Sequence, residues 1–133
     1  MKRFSAVILL TLCINASVFI LPAQAGPSGK TSAAYTNYQK RPKTELSKLI
    51  YLMDYFRGTG YQVIFNNQYY DSATSLQHAK NYIAKHYRNE NAAHWVSDNA
   101  YRSNGGQVIY LVSPDGKKEI LRDALVRELK ALG

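Results

Sequence analysis

Tyr61-Gln62-Val63-Ile64-Phe65-Asn66-Asn67-Gln68-Tyr69-Tyr70-Asp71-Ser72 is the stretch on which the fold turns. Its first five residues are rich in aromatic and β-branched side chains, which suit a pleated, half-buried strand. Asn66 and Asn67 form a turn pair that tolerates positive φ, and Gln68-Tyr69-Tyr70 returns, so the spacing predicts a β-hairpin. Asp71 or Ser72 then supplies an N-cap oxygen for a helix running to about Tyr87, with Ala73, Leu76, Ala79, Ile83 and Tyr87 sharing one face.

Upstream, a helix is expected from Thr44, a capping residue with Glu45 in the first turn, to Phe56 or Arg57, with Gly58 as its terminator. Leu46, Leu49, Ile50, Met53 and Phe56 recur at steps of three and four and make one apolar stripe. Downstream, a shorter helix from about Ala92 to Tyr101 turns Ala92, Trp95, Val96 and Ala100 inward and ends at Ser103-Asn104-Gly105-Gly106. Val108 to Val112 reads as a buried strand, Ser113-Pro114-Asp115-Gly116 as a tight turn, and Lys117 to Ile120 as the returning strand. A last helix, Leu121 to Leu132, lines up Leu121, Leu125, Leu129 and Leu132, with Asp123 and Arg127 spaced to pair across a turn. The expected fold class is α+β, with about four helices and two β-hairpins forming a small antiparallel sheet. The expected domain is a single one over 44–133.

With Asn66-Asn67, Tyr70-Asp71-Ser72-Ala73, His78 and Ser113-Pro114-Asp115-Gly116 in this order, the chain resembles the YfeK-like family of small proteobacterial periplasmic proteins of unknown function. The likeness runs from about Leu46 to Leu132. It departs from the family pattern at Asn67, at Ala79 and at Asn104-Gly105-Gly106. The resemblance implies a periplasmic compartment and brings no activity with it.

The residues before the domain point to the same compartment. Met1-Lys2-Arg3 is a basic start, Phe4 to Ile20 an apolar run, and Leu21-Pro22-Ala23-Gln24-Ala25 a break followed by small residues, the pattern of a cleavable signal peptide over 1–25. A membrane anchor and a lipoprotein acylated at Cys13 are the rival readings. Pro22 with the Ala-Gln-Ala site disfavours the first, and Leu12 before Cys13 disfavours the second. Residues 26–43, rich in Gly, Pro, Ser, Thr and Lys without apolar periodicity, read as a flexible leader. Cleavage would leave no cysteine, so neither a disulfide nor a thiolate metal site is expected.

Removing Lys2 and Arg3 with the signal takes the basic residues from 17 to 15 against 9 acids, a formal charge of +6. Such a surface attracts anionic partners, which outside the cytoplasm are lipid headgroups, cell-wall polymers or acidic proteins; nucleic acid is not expected.

No catalytic or cofactor motif stands out. Gly58-Thr59-Gly60 precedes a strand and not a helix, and there is no Gly-x-Ser-x-Gly elbow. His78 falls opposite the apolar face of its helix, and His94 with Asp98 makes the best i,i+4 ligand pair, short of the second His and the Glu a zinc-protease pattern requires. All 11 tyrosines lie beyond residue 25. On the helical wheel Lys48, Tyr51 and Tyr55 lie opposite the apolar stripe. They form either an exposed partner surface or rings packed under the leader or against the sheet.

The leading expectation is an exported, non-enzymatic binding or accessory protein that contacts another envelope protein. A small hydrolase or metal-binding protein using His78 or the His94–Asp98 pair is the alternative, and a peripheral binder of anionic lipid or cell-wall polymer a third. No cofactor is expected, nor a transmembrane segment after cleavage. Export predicts that protein recovered from the periplasm begins at Gly26; an intact Met1 on cytosolic protein would contradict it.

Overall fold

The computed structural model describes residues 32–133, so the signal peptide expected over 1–25 and the first part of the leader lie outside the described residues. The elements run α1 (Ala33–Gln39), α2 (Glu45–Phe56), β1 (Gln62–Phe65), β2 (Gln68–Asp71), α3 (Ser72–His86), α4 (Ala92–Asn99), β3 (Tyr110–Val112), β4 (Lys118–Ile120) and α5 (Leu121–Leu132). The α+β class with two hairpins is as expected. The helix count is five among the described residues and not four, because α1 forms inside the stretch read as a flexible leader.

A seven-residue helix is too short to be stable by propensity, so α1 exists through what it touches. Ser32 caps it by accepting the Tyr35 N–H at 3.1 Å. At the other end the Lys43 ammonium donates to the carbonyls of Tyr38, Gln39 and Arg41 at 3.1–3.3 Å, where the helix dipole favours a cation. Ala34 and Tyr38 are buried against α2, and Arg41 reaches Asp54 of α2 at 2.9 Å.

The capping oxygens predicted for α2 and α3 are in place. Thr44 accepts from Ser47 N at 3.1 Å and Asp71 from Thr74 N at 2.8 Å. In the first hairpin Asn66 and Asn67 take φ of +52° and +66°, the primed-turn geometry that follows the twist of the strands. Four strands join in the order β2-β1-β3-β4, antiparallel throughout, so β1 and β3 fuse the two hairpins into one sheet. Register places Val63 beside Tyr70 and Leu111 on one face, and Ile64 beside Tyr69 and Tyr110 on the other.

The core joins α1, α2, α4 and α5, built from Tyr38, Leu49, Tyr51, Leu52, Tyr87, Trp95, Val96, Leu129 and Leu132 with Ala92. Three expectations of detail change. Leu46, assigned to the buried stripe of α2, is 40% exposed. Arg127 bonds both oxygens of Glu119, at 2.8 and 3.0 Å, rather than Asp123, which pairs with Arg122. The helix expected over 92–101 ends at Asn99, where the Asn99 side chain donates to the Trp95 carbonyl.

Glu45 links the start of α2 to that of α4. Its Oε1 accepts the Ala92 N–H at 2.7 Å and its Oε2 meets Lys48 at 2.9 Å. These bonds, the Ala92 N–H first, hold the carboxyl below its ordinary 4.5. A depressed folded-state pKa stabilises the fold above the unfolded value and loses that contribution as pH falls through the folded one. Glu45→Ala, which leaves the buried Ala92 N–H unpartnered, should cost about 1–2 kcal/mol at neutral pH in urea unfolding. The gap between wild type and Glu45→Gln should shrink as pH drops below about 4.5. A gap that does not change with pH would contradict this assignment.

Candidate functional site

Helix α3 differs from its neighbours in that none of its 15 residues is buried. Its apolar face is narrow, Leu76, Ala79 and Ile83, and each of these remains partly accessible. Helix α3 roofs a cavity of about 450 Å³. Leu49, Leu52, Met53 and Phe56 of α2 form one wall, and Trp95 and Val96 of α4 continue it. Val63, Phe65, Tyr70 and Leu111 form the floor, and Leu121 with Leu125 closes one end.

The roof is fastened near its two ends. At the start, Ser72 Oγ donates to the Thr59 carbonyl at 3.1 Å. Towards the C-terminus, the Tyr82 hydroxyl donates to Asn99 Oδ1 at 3.0 Å and its ring lies 5.9 Å from that of Trp95. Tyr87, just past the helix, meets Trp95 edge-on at 5.8 Å and donates to the Glu90 carbonyl. Between these anchors Leu76 and Ala79 line the apolar cavity.

Polar groups at the rim mostly bond within the protein: Ser75 Oγ donates to the Tyr70 carbonyl, and Ser103 Oγ accepts from Gln107 N. Among the described lining residues there is no carboxylate, and Arg102 is the one permanently charged side chain. A cavity this size falls within the roughly 300–1,000 Å³ of small-molecule sites, and its lining has their character, mostly apolar with a few polar groups.

The Lys48, Tyr51 and Tyr55 surface is not exposed as a patch. Tyr51 is 1% exposed, its ring 5.8 Å from Tyr38 of α1 and 5.9 Å from Tyr55, and Lys48 is paired with Glu45. Tyr51 packs under the leader, against Tyr38 of α1, and Tyr55 packs against Tyr51 and Phe56. Burial, with the Glu128 charge second, pushes the Tyr51 hydroxyl up to about 12. The same causes raise Tyr55.

His94 and Asp98 do meet, at 3.2 Å, on the open surface of α4, with side chains 72% and 63% exposed. No group of three or more His, Cys, Asp or Glu able to hold a metal ion occurs among the described residues. His78 is exposed as expected and stands on the groove rim, edge-on to Tyr70 at 5.9 Å. Among the described residues no hydrogen bond ties it to a hydroxyl or carboxylate, and Ser75, one turn before it, is directed at a backbone carbonyl.

The sequence reading missed the groove and, with it, Leu52, Arg102 and Leu111. One signal was available: three modest apolar side chains along a 15-residue helix are too few to seal against a sheet. No helix among the described residues is long and apolar enough to cross a membrane. Compared with protein-family models, with curated proteins and with solved structures, the chain matches none.

Proposed function

We propose that this is a non-enzymatic binding protein that receives the apolar body of a small molecule in the groove beneath α3. The observation that carries the reading is the groove itself, about 450 Å³ of apolar-lined space under a helix with no buried residue. Apolar surface left open to water costs roughly 25 cal/mol per Å², so an occupant that covers it is bound by the free energy the empty protein forgoes. The lack of a hydrogen-bonded nucleophile and base, or of a metal-ligating cluster, among the described residues supports binding over hydrolysis. Export to the periplasm, proposed from the first 25 residues, would make the protein a carrier or sensor of an apolar compound in the envelope.

Trp95 is the sole tryptophan of the chain and lines the groove, which makes it an internal reporter. Titrating the neutral probe N-phenyl-1-naphthylamine should change Trp95 emission and saturate. Ala79→Phe, which fills the space under α3 without disturbing the core, should weaken the probe about tenfold or more while leaving the melting temperature within a few degrees. A probe that does not bind, or binds the filled variant equally well, would overturn the reading.

A further inference from the structure

Resting on that groove, we propose that its occupant is a single-chain amphipathic carboxylate of the fatty-acid class, with the tail beneath α3 and the carboxylate on Arg102. Arg102 lines the groove yet is exposed to solvent, so it stands at the mouth. Its guanidinium is positioned without being neutralised. Nη1 donates to the Gly106 carbonyl at 2.9 Å and Nη2 to the Tyr101 hydroxyl at 3.3 Å, both uncharged acceptors. The group also lies 4.7 Å from the centre of the Tyr101 ring.

The other arginines near acids behave differently. Arg41, Arg57, Arg122 and Arg127 each pair with a carboxylate, whereas Arg88 and Arg102 pair with none among the described residues, and of these two Arg102 alone lines the groove. Arg122, though paired with Asp123, places its guanidinium 4.0 Å from the same Tyr101 ring and adds positive potential at that end. With no acid in the lining, an apolar ligand carrying a positive head would meet repulsion, and a neutral one would leave the charge unused. A guanidinium held in place accepts a carboxylate through paired N–H donors, the strongest form of that contact. The volume suits one acyl chain better than the two of a phospholipid.

Trp95 emission, read on the purified protein, distinguishes the occupants with three probes of equal chain length: dodecanoate, 1-dodecanol and dodecyltrimethylammonium. Dodecanoate should bind about tenfold more tightly than the alcohol, and the cation most weakly. Arg102→Ala should remove the advantage of dodecanoate and leave dodecanol unchanged, and Arg102→Lys should restore part of it. Dodecanol equal to dodecanoate, with no effect of Arg102→Ala, overturns the carboxylate inference while the groove reading stands. If none of the three binds, the groove reading falls as well. An amphipathic helical peptide that displaces N-phenyl-1-naphthylamine where dodecanoate does not would also overturn the inference.

Discussion

Tyr51, wedged between Tyr38 and Tyr55, is the contact that lets one side of α2 be sealed while the other is left open. A core helix in a domain this small ordinarily commits all its apolar surface to packing. Here α1 closes over Tyr51, and α5 adds Leu129 and Leu132 to the same core, while Trp95 and Val96 of α4 serve both the core and the groove wall. Aromatic rings then continue in file from Tyr35 through Tyr38, Tyr51, Tyr55 and Phe56 to Tyr61, neighbours 4.9–6.4 Å apart, from the first helix to the start of β1. Edge-on and tilted pairs of this kind each contribute about 0.5–1.5 kcal/mol beyond the area they bury. Helix α3 joins this layer through Tyr82, Ile83 and Tyr87 near its C-terminal end and roofs the groove with Leu76 and Ala79.

The division of labour explains why the protein tolerates an open apolar space. A cavity in a close-packed core is costly because its lining loses contacts on one side. Regions with few buried contacts open at lower free energy than the core, and binding sites are drawn from such regions. Arg102 at the mouth fits the same logic, its charge kept at the water boundary where burying it would be prohibitive.

Much of the fold was legible in the sequence. The Asn66-Asn67 pair, the capping oxygens of Thr44 and Asp71 and the Ser113–Gly116 turn act through local geometry, and local geometry is what sequence spacing records. Helix α1 was not legible because its stability comes from Tyr38 against Tyr51 and Arg41 against Asp54, contacts with no period in the chain. Tyr51 was ambiguous for a related reason: a wheel assigns it to the polar side of α2, but a phenol buries as readily as it solvates once a neighbour covers it. The groove was invisible because periodicity reports which face of α3 is apolar and says nothing of the distance to what lies beneath.

Hydrogen exchange resolved along the chain tests the central claim most directly. Amides of α3 between its anchors should exchange well before those of α2 and α5 in the empty protein, and should slow when dodecanoate fills the groove. If α3 is as protected as α2 without ligand, and its exchange is unchanged by dodecanoate, the helix is an ordinary part of the core and the account of it as a roof over a binding site is wrong.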